Sequence, residues 1–256
     1  MKNVIIMCRA EGCSTVINAM NPDEEISQIG LARDVNAAAR AIIGSGRIPV
    51  VCNMFATKYS AVSLLYKKYL IDGIEETTAG EMKRYFADCE GAVLIGMTAK
   101  AGTEKAFCAG TYNHVAWHDY LINGTACGES EIYRTFFESY GIPVLAVSGD
   151  EACCEEIKRT IDGAVTIAVK RADYRLRAAA YEDTEKAICN GVRVALSRAG
   201  KREFTGKTPL SVEIRYNRTD FCDDSYERNN RTLERPDART LRKTVEKINT
   251  IFDLIF

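Results

Sequence analysis

The 256-residue sequence has no long apolar run: no stretch reaches the roughly 18 apolar residues that a membrane-spanning helix needs. The opening MKNVIIMCRAEGC carries only about five in a row, too few for a secretion signal and enough for a first buried strand. A cytoplasmic location is therefore expected, with no membrane partner. Net charge is almost absent as well, at −1 from 34 Lys and Arg against 35 Asp and Glu, so nothing draws the chain to nucleic acid or to an anionic surface. The ten cysteines form no C-x-x-C pair and no zinc-ribbon spacing, and read as reduced thiols packed as small hydrophobes. No Walker pattern occurs, and no G-x-G-x-x-G follows a strand, which removes a nucleotide-binding reading of GMTAKAG (96–102). Histidine is scarce: His114 and His118 are the only two.

What remains is an ordinary globular composition, 46% hydrophobic and 27% charged, which suits one large α/β unit with a sizeable core. Buried strands are expected at 4–8, 48–53, 92–97, 142–151 and 165–170, each a short apolar run. Helices are expected at 23–44, 60–70, 81–89, 131–141, 152–161 and 180–198; the first opens on acidic residues and closes on Gly44 and Gly46. Asn123-Gly124 is the strongest hairpin signal in the chain. The segment 211–218 alternates as a strand, 219–238 is polar and the least structured stretch, and the chain closes with a strand and an amphipathic helix. The alternation of strand and helix predicts a layered α/β/α sandwich with a mixed, largely parallel sheet and an inserted β-hairpin. Residues 1–205 are read as the main domain carrying a cleft, and 206–256 as a strand-helix segment packed on it.

The most informative segment is 94–151, LIGMTAKAGTEKAFCAGTYNHVAWHDYLINGTACGESEIYRTFFESYGIPVLAVSGDE. Its order of pieces (IGMTA, AGT, AGTY, ING, GE, IPVLAVSGD) resembles the central block of the D-aminopeptidase family of binuclear-zinc metallopeptidases. The likeness continues in CRAEG (8–12), NAAARAIIGSGRIPVVCN, VAVKRADYRLRAAAYEDTEKAI and VEIRYNRTDFCDD. In that family an Asp and a Glu after the first strand, a His after the second, a His after the third and the Glu of "GE" hold two zinc ions, under a further catalytic His. Carried over residue by residue, Glu11 and Glu129 are kept. Arg9 replaces the Asp, and Ala56, Thr98 and Gly110 stand where the three histidines would.

Two glutamates without imidazole cannot hold two zinc ions, and Arg9 would repel a divalent cation from its first shell. Arg9 is instead expected to take the metal's electrostatic place and to pair with Glu11 or Glu129. No cofactor is expected; the alternative is one divalent ion at Glu11 and Glu129 with a histidine from the hairpin. Glu11, Glu129, Cys108, His114 and Lys100 are the candidate catalytic groups, and Arg9, Asn53, Thr98 and Gly110 the candidate substrate-binding ones. A Cys108 nucleophile with His114 as base would give metal-free acyl transfer. His114 and His118, four apart on a strand, would face one side.

The resemblance implies a divergent hydrolase-fold protein that acts on or binds a small peptide, amide or amino-acid derivative without the two-zinc centre. The alternative is a non-catalytic small-molecule-binding protein or a pseudoenzyme subunit of a larger assembly. It also implies a homo-oligomer, ring-shaped as the family's assemblies are.

Overall fold

The computed structural model describes residues 1–20, 23–52, 67–199 and 208–256. Strand β1 (Asn3–Cys8) is apolar on both faces, because Ile5 and Met7 point into one core and Val4, Ile6 and Cys8 into the other. That two-sided burial suits an interior strand, and β1 has a neighbour on each side in a seven-stranded sheet. Helix α1 (Glu24–Gly44) follows, its first turn capped by Asp23, which accepts the Ile26 N–H at 2.8 Å. The chain returns through β2 (Ile48–Cys52) and the short β3 (Glu75–Thr77), then crosses to the other side of β1 as β4 (Cys89–Met97).

Helix α2 (Glu129–Glu138), β7 (Val144–Asp150), α3 (Glu151–Thr160), β8 (Val165–Tyr174), β9 (Arg177–Ala180) and α4 (Thr184–Ser197) complete this half. The sheet order is β3-β2-β1-β4-β7-β8-β9, parallel throughout except for β9. One core lies under α1 and α4, and the other under α2 and α3. This is the layered sandwich with a largely parallel sheet that the alternation of elements predicts.

The Asn123-Gly124 hairpin is present: β5 (Trp117–Ile122) and β6 (Thr125–Ala126) join through these two residues at φ 50° and 79°, the doubly left-handed turn that such a pair favours. It does not join the main sheet. β5 pairs antiparallel with β10 (Leu210–Tyr216), giving a second sheet of order β11-β12-β10-β5-β6 with β11 (Glu234–Asp237) and β12 (Thr240–Val245). The second sheet therefore takes strands from both sides of residue 205. Its inner face (Val212, Ile214, Leu241) shares a core with Tyr133, Phe136 and Phe137 of α2.

Three expectations fail. The polar stretch 219–238 is ordered, as α5 (Thr219–Arg228) and β11; α5 buries only Cys222 and Ser225, too narrow a face to be seen in its composition. The closing amphipathic helix is a single 3-10 turn, Ile251–Leu254, fixed by Asp253 accepting the Asn249 and Thr250 N–H groups at 2.7 and 2.8 Å. The helix expected at 81–89 is 3-10, Met82–Asp88, because β4 already begins at Cys89. Most of the helix expected at 60–70 lies outside the described residues, which hold only its 3-10 end, Lys67–Tyr69. All ten cysteines are free thiols.

Candidate functional site

The parallel sheet changes direction between β1 and β4: the chain leaves β1 toward β2 on one side and returns as β4 on the other. Loops diverge at such a switch point, and a crevice opens beyond the strand carboxyl ends. The two strand ends come together closely here. Arg9 N–H donates to the Ile95 carbonyl and Gly12 N–H to the Gly96 carbonyl, both at 2.9 Å. A Cβ at Gly96 would run into the Arg9 carbonyl oxygen, and one at Gly12 into the Met97 carbonyl; Gly96 is also left-handed, at φ 74°.

Beyond this crossing lies a cavity of about 360 Å³. Arg9, Glu11, Thr98, Cys108, Gly110 and His114 all line it, so six of the nine sequence-derived candidates converge on one space. Glu129 lies behind the wall, wholly buried in the first turn of α2. Lys100 is outside the lining: its Nζ donates to Glu156 at 3.0 Å, and its backbone N–H donates to the same carboxylate at 3.1 Å. Asn53, like Ala56, lies outside the described residues. His118 does not join His114. It is exposed on β5 with Nδ1 3.0 Å from an Asp119 carboxylate oxygen, while His114 precedes the strand, so strand parity never aligns the two.

Arg9 is the hub. Its Nε and Nη2 donate to the two oxygens of Glu11 at 3.1 and 2.9 Å, a bidentate pair, and its Nη1 meets Glu129 Oε1. The expected partner was one carboxylate or the other; both are engaged. Glu129 Oε1 also accepts the Tyr112 N–H at 2.7 Å, while its Oε2 has no hydrogen-bond partner among the described residues. Burial opposes charge on Glu11, but the Arg9 guanidinium overrides it and holds that carboxyl down at about 2. Burial likewise opposes the Arg9 charge, and Glu11 more than compensates, so the guanidinium is held more firmly protonated.

Two other lining groups, Cys108 and His114, are held toward their uncharged forms. Burial pushes the Cys108 thiol up, against the pull of Lys170 and Arg175, so it is not poised as a thiolate. Burial and the Arg175 charge push His114 down, leaving an uncharged imidazole at neutral pH. His114 also occupies the room that a side chain at position 110 would claim, since a Cβ on Gly110 would lie 2.7 Å from the His114 Cβ.

Two further residues shape the site without having stood out in the sequence. Lys170, wholly buried in β8, donates to the carbonyls of Glu11, Cys13 and Val16 at 2.7, 2.9 and 2.7 Å, with its ammonium 4.2 Å from the Phe107 ring centroid. It braces the loop that carries Glu11. A charged residue ending the otherwise uncharged run VTIAVK is the one signal that could have found it. Arg175, at the β8–β9 turn, lines the cavity; only the basic composition of RADYRLR hints at it.

The chain belongs to the M55 peptidase family, described as D-aminopeptidase, whose model matches residues 3–256. Among solved structures it is similar to the Zn-dependent D-aminopeptidase DppA from Bacillus subtilis, titled a self-compartmentalizing protease. The TM-score is 0.83 at 16% identity, over 98% of this chain and 95% of that one, a likeness of fold. No curated protein matches the sequence.

Zinc, which the family implies, does not fit the donors here. No group of three or more His, Cys, Asp or Glu able to hold a metal occurs among the described residues. The segment 53–66 contains none of these four residue types. The guanidinium of Arg9 already bridges the two carboxylates the family would offer to a cation, which also removes the single-ion arrangement at Glu11 and Glu129.

Proposed function

We propose that this chain is a metal-independent member of the D-aminopeptidase family whose cavity binds a small peptide, amide or amino-acid derivative. The observation that carries the reading is Arg9, on the cavity lining, held between Glu11 and Glu129. A tethered guanidinium balances the carboxylates electrostatically, but it cannot polarise a carbonyl as a Lewis acid or generate a bound hydroxide. Val16, Ala19, Met20 and Leu176 add apolar lining to these charges, which suits a ligand with both a polar backbone and a side chain.

Binding is favoured over covalent catalysis. The one thiol on the lining is pushed toward its protonated form, and Lys100 is tied to Glu156 away from the cavity. Among the described residues His114 is the one uncharged nitrogen base on the lining, and a hydrolytic step would run through that imidazole.

Assembly is the second part of the proposal. The DppA structure is titled self-compartmentalizing, and full-length likeness of fold supports a homo-oligomer, ring-shaped, for this chain too.

Elemental mass spectrometry of the purified protein, before and after zinc soaking, tests the first part. Far less than one bound ion per chain is expected; about two per chain, the complement of a two-metal centre, would overturn it.

A further inference from the structure

The cavity is electrically lopsided. On the lining Glu11 pairs with Arg9, which also meets the buried Glu129, while the nearby Lys170 ammonium is taken up by the backbone carbonyls of Glu11, Cys13 and Val16. Glu11 keeps a third of its side chain exposed, enough to be met from the cavity. The same lining also carries a cation that no carboxylate of the described residues answers. Arg175 has no carboxylate partner among the described residues, and the neighbouring lining groups, Cys108 and His114, carry no compensating charge.

Arg175 is not a loose surface arginine. Its backbone carbonyl accepts the Cys108 N–H at 2.8 Å, and its Nε donates to the Ala109 carbonyl at 3.4 Å. The turn that carries it is held from behind as well, because Ala19 N–H donates to the Leu176 carbonyl at 3.1 Å and Asn18 bridges to Arg177. Backbone and side chain are thus both tied to the loop that forms the cavity wall, which leaves the terminal nitrogens of the guanidinium for a ligand. Pre-organisation of this kind reduces the entropy lost when a charged ligand docks.

From this arrangement we infer that Arg175 is a specificity-determining residue: it anchors a free carboxylate of the ligand, while the Glu11 end of the cavity receives the ligand's ammonium group. The site then selects zwitterions with a free acid over otherwise identical amides. A planar carboxylate matches the fork of one arginine, with two parallel N–H···O bonds. A phosphate dianion fits less well, since a single cation would have to balance it within reach of the Glu11 field. The inference rests on the reading of the cavity as a small-ligand site and narrows its ligand class.

The test uses matched pairs: L- and D-alanine, L- and D-leucine, and alanylalanine, each as the free acid and as the C-terminal amide, with inorganic phosphate as a further probe. Affinity is read by calorimetry on the full chain for the wild type, R175Q and R175K. At least one acid is expected to bind about tenfold or more tighter than its amide to the wild type. R175Q should abolish that preference, and R175K, which keeps the charge without the fork, should retain part of it. His114 offers an independent readout by NMR: a bound acid should raise its pKa by offsetting the Arg175 charge, whereas the amide, which brings only an ammonium, should not raise it. Acid and amide bound alike, a preference that survives R175Q, or phosphate bound more tightly than every acid would each overturn the inference and leave the cavity reading standing. If no probe binds the wild type at all, both fall.

Discussion

Arg9 and Lys170 are two almost wholly buried cations at the same end of one sheet, yet their environments act on them in opposite directions. Arg9 is met by two carboxylates, and its charge is reinforced. Lys170 is met by three backbone carbonyls and a ring, and burial pushes its ammonium down despite them. The difference separates a site from a scaffold. Formal charges in contact create a field that reaches into the cavity, whereas a cation spent on neutral carbonyls fixes a loop and offers nothing to a ligand.

The sharpest way to break the comparison is to remove each cation. Arg9→Met leaves Glu129 buried without its counter-charge, and a loss of about 3–5 kcal/mol in urea unfolding is expected. A neutral result would mean that the carboxylates do not need the guanidinium. Lys170→Met should cost somewhat less, about 2–4 kcal/mol, because three carbonyls lose their donor while an expensive buried charge is also removed.

The acid side supplies a subtler test. Glu11 has a folded-state pKa lowered from 4.5 to about 2, so its contribution is complete above the unfolded value and disappears as pH falls through the folded one. The stability gap between wild type and Glu11→Gln should therefore be about 1–2 kcal/mol near neutrality, after allowing for its partial exposure, and should close between pH 4.5 and about 2. A gap that is flat with pH would show that the ion pair contributes little. Lys170 belongs to the opposite limb. Its folded pKa lies below 10.5, so stability should rise with pH between the depressed value and 10.5, and Lys170→Met should flatten that limb. The smallest effect is expected from Lys100→Met, about 1 kcal/mol of stability, since Glu156 keeps the Lys100 backbone donor and the Thr103 hydroxyl at 3.3 Å. Its affinity for any cavity probe should stay within about twofold of the wild type. A large loss of affinity would bring Lys100 back among the ligand-binding groups.

The sequence makes the strands and the hairpin legible because their signals are local: apolar runs for β1, β4 and β7, and Asn123-Gly124 for the β5–β6 turn. It also makes much of the cavity legible, since Arg9 and Glu11 follow β1 and Thr98 follows β4, and residues just after parallel strands gather at one edge. What it hides is long-range. Lys170 lies more than 150 positions from the carbonyls it braces, and Arg175 reaches the cavity only because β8 turns back on itself as β9. Helix α4 begins at Thr184 instead of near residue 180 for the same reason: β9 has claimed the preceding residues. The pairing of β5 with β10 joins segments about 90 positions apart and leaves no local trace.

That last pairing also governs how the molecule comes apart. The chain leaves the large sheet after β4, contributes β5 and β6 to the small one, and only then returns as α2 with Glu129 in its first turn. Melting the small sheet would slacken this detour and withdraw an anion from Arg9, at a cost borne by the large sheet. Neither sheet is an independent foldon, and heat should dissolve both in one calorimetric transition, with amides of β5 and β1 exchanging at a shared limiting free energy.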